Sequence, residues 1–211
     1  MRGDKLVIEP HHTDRAEDIC QHLAELELDR FVITVAGESG SGKSELASEI
    51  ARQLTDSGRP TGVLQQDDYF VFPPKTNHEM RRVNLMQVGP YEVKLDFLDS
   101  NLRSFKRGES PIYKPLVDYE ADLITTEEMA VDSFDALIAE GTYTSLLSFV
   151  DLRIFIDRDY RDTEKHRMRR DRDTFEPFIE DVLEIEHGII SQHKQRADIV
   201  VTTEFDQIQV K

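Results

Sequence analysis

FVITVAGESGSGKSELASEIARQL, residues 31–54, decides how this chain is read. It opens with a short apolar, β-branched run from Phe31 to Ala36, the composition of a strand buried on both faces. The run stops at Gly37, and Glu45–Leu54 continues with apolar residues at helical spacing. Between them GESGSGKS, residues 37–44, matches the pattern G-x-x-x-x-G-K-[ST] in the strand–loop–helix setting that a phosphate-binding loop needs. The candidate nucleotide-binding residues are therefore Gly37, Glu38, Ser39, Gly40, Ser41, Gly42, Lys43, Ser44 and Glu45. Glycines let the backbone wrap closely, so that N–H groups converge on phosphates at the positive end of the following helix. Lys43 is expected to reach the β and γ phosphates of a bound nucleoside triphosphate, and the Ser44 hydroxyl to ligate Mg²⁺.

Outward from this loop, apolar runs at Thr61–Gln66, Asp135–Glu140, Leu152–Asp157 and Asp198–Thr203 read as further strands. Helices are expected at 13–28, with Thr13 as N-cap, at 160–173, and at 177–196, with Pro177 at its start. Strands alternating with helices predict an α/β domain: a P-loop NTPase three-layer α/β/α sandwich with a mostly five-stranded parallel sheet and a lid helix. One domain is expected over 1–211, with an N-terminal helical extension (1–30), a proline-rich acceptor-covering insertion (about 68–125) and a lid (about 158–176).

Composition narrows the partners. In 211 residues, 42 acidic side chains against 26 basic ones give a net charge of -16, which argues against clamping a nucleic acid polymer. No uncharged stretch approaches the length that spans a bilayer, so no membrane partner is expected. Cys20 is the only cysteine, which fits a reducing cytoplasm and excludes a cysteine zinc cage. The charge is uneven: Arg158–Arg172 carries seven basic and four acidic residues, a locally positive segment suited to an anion.

A P-loop does not say where the γ-phosphate goes. In open α/β sheets, ligands collect at the carboxyl ends of the strands. The second strand ends in Gln65-Gln66-Asp67-Asp68-Tyr69 and the third in Glu140-Gly141-Thr142. Transfer to a hydroxyl needs a metal, cations around the migrating charge, and a carboxylate at the acceptor. Asp67, Glu140, Lys43, and Arg167 with Arg170 supply these types. Asp68 reads as the bystander of its pair. His166, His187 and His193 read as helix-surface residues, and Phe175, Phe178, Ile179, Val182, Leu183 and Ile185 as packing. Tyr69, Arg81, Arg82, Tyr91, Tyr113 and Asp118 are candidate acceptor contacts because they lie in the inserted region.

From about residue 31 to 203 the chain resembles the uridine kinase and phosphoribulokinase group of P-loop kinases. The likeness lies in GESGSGKS, QDDYF (66–70), LIAEGTY (137–143), RIFID (153–157) and the ADIVV strand near the end, in that order and spacing. It implies that Asp67 is catalytic base and metal-shell ligand, that Glu140 joins the magnesium shell, and that Arg167 and Arg170 clamp phosphates. The differences fall on the acceptor side. PLVDYEADLI (115–124) places Val117, Asp122 and Ile124 where uridine kinases hold the base, Val88 stands for the ribose-binding aspartate, and Phe175-Glu176-Pro177 replaces an Arg-Gly-Arg ending. The expectation is an ATP- and Mg²⁺-dependent kinase of a small-molecule hydroxyl, with uridine or cytidine first in line, and with room for a homo-oligomer. The rivals are a kinase of another small alcohol (sugar phosphate, pantothenate, nicotinamide riboside) and a nucleotide-hydrolysing switch. No Asn-Lys-x-Asp tetrapeptide for guanine occurs in the chain.

Overall fold

The computed structural model describes residues 6–26, 28–163 and 177–211. Its central strand is β1 (Phe31–Gly37), in which every residue is buried. Along it side chains alternate between two cores. Phe31, Ile33 and Val35 face one, with α1 (Pro10–Glu25) and α2 (Lys43–Asp56). Val32 and Ala36 face the other, with α4 (Leu95–Lys106) through Leu98, Leu102 and Phe105. This period of two, apolar on both faces, makes β1 the middle of a three-layer sandwich.

The main sheet contains β2 (Thr61–Gln65), β5 (Ala136–Glu140), β6 (Leu152–Ile156), β7 (Ile199–Val201) and β8 (Ile208–Val210), in the order β2-β5-β1-β6-β7-β8. Five strands are parallel, as expected. The sixth, β8, joins β7 antiparallel and is an edge strand too short for a periodicity signal. Register pairs Val35 with Glu140 and Gln65 with Glu140, so the loop after β1, the segment after β2 and Glu140 reach one edge of the sheet together.

Several expected boundaries move. Helix α1 begins at Pro10, with Glu9 as N-cap and His12 completing a reciprocal capping box. Thr13 is not the cap; its hydroxyl donates to Glu49 Oε2 at 3.0 Å. The expected insertion is only partly a cover. It contains α3 (Pro74–Val83), but its α4 belongs to the sandwich, and β3 (Ile112–Asp118) with β4 (Leu123–Met129) forms a separate antiparallel hairpin that ends beyond residue 125. Residues 160–163 form a turn rather than the start of a helix, and the rest of the expected 160–173 lid helix, with Arg167 and Arg170, lies outside the described residues. The last helix, α5 (Pro177–Ile190), starts at Pro177 as read and passes into a 3-10 turn over Ser191–Arg196.

Candidate active site

The P-loop wraps from β1 into α2. Gly42, the residue before the helix, has φ +97°, and a Cβ there would meet His12 Nε2 at 3.1 Å and the Phe205 ring at 3.2 Å. Only glycine fits both the turn and the approach of α1 behind it. Lys43 Nζ donates to the Glu38 carbonyl at 2.8 Å, curled over its own loop. Ser44 Oγ donates to Glu140 Oε1 at 3.2 Å, so the sheet register brings together the hydroxyl and carboxylate expected at a metal. Both are hard oxygen donors, and Mg²⁺ is commonly held by one or two such protein groups plus nucleotide phosphates, so the pair fits that ion. Glu45 is buried in the first turn of α2, which leaves its backbone N–H as the group suited to a phosphate.

Glu38, read only as a loop residue, carries a buried carboxylate. It accepts from Tyr160 N at 2.9 Å and lies 2.7 Å from His187 Nδ1, and burial pushes its pKa up. Thr163 Oγ1 donates to the Ser39 carbonyl at 2.9 Å. The loop is thus tied to the segment after β6 and to α5. His187 is a P-loop contact rather than the expected surface residue, and His193 is buried, with its ring near Tyr143.

At the end of β2, Gln66 accepts from Tyr143 N at 2.7 Å and donates to Thr142 Oγ1 at 3.0 Å. These bonds lock a 3-10 turn, Gln66–Tyr69, onto the end of β5. On this turn Asp67 is exposed while Asp68 and Tyr69 turn inward. Asp68 is the structural member of its pair: its carboxylate takes Lys114 Nζ at 2.9 Å and Val117 N at 3.0 Å, pinning the β3–β4 hairpin.

Asp67 opens onto a cavity of about 640 Å³ that begins at Ser39 of the P-loop and runs between α3 and α5. Ser44 and Glu140 open instead onto a smaller cavity of about 400 Å³ beside the hairpin. Of the candidate acceptor contacts, Arg81 lines the large cavity. The other five do not. Tyr69 is in the core with its hydroxyl accepting from Asn101 Nδ2 at 2.8 Å, and burial drives its pKa up. Tyr91 is exposed and donates to the Val88 carbonyl at 3.0 Å, Tyr113 bonds Glu128 across the hairpin, and Asp118 caps Ala121 N at 2.9 Å. Arg82 lies 3.9 Å from Glu79 on the exposed face of α3. These tyrosines and charges were read from their place in the insertion, and their backbone turns them elsewhere.

The walls come from residues that sequence reasoning treated as packing or passed over. Phe178, Ile179, Val182 and Leu183 of α5 form an apolar side, and Asn77, His78 and Arg81 of α3 face them. His78 and Phe178 meet edge to face at 5.0 Å. At the base, Arg81 donates to both oxygens of Glu92, from Nε at 2.6 Å and Nη2 at 2.9 Å, and to Glu186 Oε1 at 3.0 Å. Asp122, Val117 and Val88 are structural here. Asp122 binds Lys75 N and Thr76 Oγ1 at the start of α3, while Val117 and Val88 are buried.

The model of the Phosphoribulokinase / Uridine kinase family matches residues 32–204. This chain belongs to that family. A uridine kinase of Leuconostoc citreum is 29% identical over 184 residues, covering 81% of this chain and 86% of that protein. The bifunctional alpha-galactosidase/sucrose kinase AgaSK of Mediterraneibacter gnavus is 29% identical over 186 residues, 82% of this chain but 20% of its own length. Among solved structures, a possible uridine kinase from Bacillus stearothermophilus superposes with a TM-score of 0.66 at 19% identity, covering 89% of this chain and 97% of that one. Phosphoribulokinase from Rhodobacter spheroides superposes at 0.63 and 16% identity, covering 82% and 70%. The chain is a P-loop kinase of small molecules, and its family implies ATP as co-substrate. No described helix is long and apolar enough to cross a membrane.

Proposed function

We propose that this kinase transfers the γ-phosphate of ATP to a hydroxyl of a small acceptor held in the large cavity, and that a nucleoside such as uridine or cytidine is the first acceptor to test. The observation that carries the reading is the juxtaposition of Ser39 and Asp67 on one cavity of about 640 Å³, the size of a small-molecule site. The acceptor hydroxyl lies against Asp67, whose carboxylate orients it and takes its proton as the oxygen attacks phosphorus. The bond from the γ-phosphorus to the β–γ bridging oxygen breaks, and ADP leaves. The loop amides and Lys43 hold the phosphates, with Lys43 leaving the Glu38 carbonyl to do so. Mg²⁺, held by Ser44 and Glu140, would neutralise charge on the phosphate oxygens. Of the two roles expected for Asp67, its position on the acceptor cavity supports the base rather than the metal ligand.

The relatedness to a sucrose kinase, equal in identity to that of the uridine kinase, supports a second reading, a sugar as acceptor. Asp67→Asn tests the common core of both. ATP binding is expected to persist while acceptor-dependent ADP release falls by about 10²–10⁴-fold. Unchanged turnover removes Asp67 from the reaction.

A further inference from the structure

Two side chains outside the phosphate-loop pattern, Gln66 and Thr142, meet at the end of β5. Gln66 is fully buried on its 3-10 turn and packs on Gly141, where a Cβ would meet Gln66 Cβ at 2.3 Å. Its amide has only one possible orientation. Tyr143 N is a donor, so the Gln66 oxygen faces it at 2.7 Å, and Nε2 then faces Thr142 Oγ1 at 3.0 Å. The Thr142 hydroxyl therefore accepts from Gln66 and keeps its own proton to donate. Among the described residues no group takes that proton. Thr142 is half-buried and lines the large cavity together with Ser39 and Asp67.

The order of the strands sets where this hydroxyl stands. β5 lies between β2 and β1, and Glu140 at its end pairs with Gln65 on one side and with Val35 on the other. Asp67 follows β2, the P-loop follows β1, and Thr142 follows β5. Thr142 thus stands between the carboxylate proposed to take the acceptor's proton and the loop proposed to hold the phosphates. The group that crosses this interval is the γ-phosphoryl, whose negative charge is spread over three equatorial oxygens. A donor already fixed in place stabilises that charge without having to reorganise as the bond breaks.

We propose that Thr142 is a catalytic residue whose hydroxyl donates a hydrogen bond to an equatorial oxygen of the γ-phosphoryl in transit, and that Gln66 is the positioning residue that aims it. The proton stays on Thr142 throughout. The acceptor's proton goes to Asp67, and the β–γ bridging oxygen leaves with ADP. The inference rests on the kinase reading above and adds to it a donor between its two halves.

The test uses the full chain with ATP and Mg²⁺, following ADP release with the acceptor that stimulates it best from a panel of nucleosides, sugars and sugar phosphates. Thr142→Val keeps the shape of the side chain and removes the hydroxyl. Its kcat is expected to fall about tenfold to a hundredfold, the factor for a hydrogen bond to a charged group, with the KM for ATP and for the acceptor unchanged. Thr142→Ser is expected to restore most of the loss. In Gln66→Glu the carboxylate still accepts from Tyr143 N, but it also accepts from the Thr142 hydroxyl, which turns the proton away from the cavity. The same fall in kcat is expected, and the double variant with Thr142→Val is expected to be no slower than either single one. If Gln66→Glu melts early, the comparison of valine with serine at Thr142 still decides. An unchanged kcat in Thr142→Val, or a fall that Thr142→Ser does not restore, overturns the inference and leaves the kinase standing. A rise confined to the acceptor KM makes Thr142 an acceptor contact and overturns it as well. Stimulation by no acceptor removes the kinase reading itself, and this inference with it.

Discussion

Acidification from pH 7 to pH 5 is expected to loosen the junction between α1 and the P-loop through one imidazole. His12 is buried against Gly42 and Phe205, and its Nδ1 accepts from Glu9 N at 3.0 Å, which requires the neutral ring. Burial, reinforced by the adjacent His11 and opposed by Glu45 and Glu9, lowers its pKa from 6.5 to about 4. The unfolded chain therefore binds a proton between those values that the folded chain refuses. The stability contributed by neutral His12 is present above about pH 6.5 and is lost as the pH falls towards 4. At pH 5 the loss is about 2 kcal/mol from this group alone. For a domain of this size it corresponds to a fall in melting temperature of about 4–8 °C. Other groups also respond to acid, so the informative quantity is a difference. His12→Gln offers an amide oxygen to the Glu9 N–H without titrating. Thermal unfolding followed by circular dichroism at pH 7 and pH 5 is expected to show a smaller acid-induced drop in the variant, by about that amount. Equal drops in the two proteins would refute the reasoning.

Lys114→Met removes the cation from a pair in which the Asp68 side chain is 2% exposed, and about 3–5 kcal/mol of stability is expected to go with it, since the buried carboxylate then loses its ammonium. Denaturant unfolding reads the loss; a change below about 1 kcal/mol would mean that the hairpin is held by its other contacts. His187→Ala withdraws one of the two groups that, among the described residues, hold the Glu38 carboxylate within the P-loop. The KM for ATP is expected to rise about tenfold with the acceptor KM unchanged, the factor appropriate to a charge-assisted hydrogen bond. Steady-state kinetics in both substrates tests it, and a rise confined to the acceptor side would place the bond outside nucleotide binding.

The parts of the site that could be read along the chain are those set by local backbone demands. GESGSGKS specifies a turn, a helix start and two candidate site side chains within eight residues, and the place of Glu140 follows from the end of a strand whose apolar run is unambiguous. The place of Asp67 at the end of β2 is legible for the same reason, but its neighbour shows the limit. Tyr69 shares a 3-10 turn with Asp67, and successive side chains there diverge, so nearness in sequence put a core residue among the acceptor contacts. Pro10 marks the start of α1, with Glu9 as its N-cap, whereas Thr13 has the hydroxyl type usual at caps but lies inside the helix. Arg81, Glu92 and Glu186 had no such signature. They come from α3, the turn before α4, and α5, and only the fold makes them one cluster.

The same cluster alters the meaning of the net charge. A balance of -16 suggests mostly solvated surface, yet Glu38, Glu45, Glu49, Glu92, Glu140 and Glu186 are all buried, together with Asp68. Several have identifiable donors: His187 and Tyr160 N at Glu38, Arg52 and Thr13 at Glu49, Lys114 at Asp68, and Arg81 at Glu92 and Glu186. Burying carboxylates in this way is costly unless each is satisfied, so they are placed where a loop must hold its shape or where a ligand completes the set. At Glu38 and Asp68 the protein supplies the donors on both oxygens and the carboxylate is structural. At Glu140 one partner is the Ser44 hydroxyl, and the two are hard oxygen donors of the type that suits Mg²⁺. Glu186 has Arg81 on one oxygen only, and it faces the cavity where the acceptor is proposed to bind. The acidic surplus of the composition is therefore partly internal.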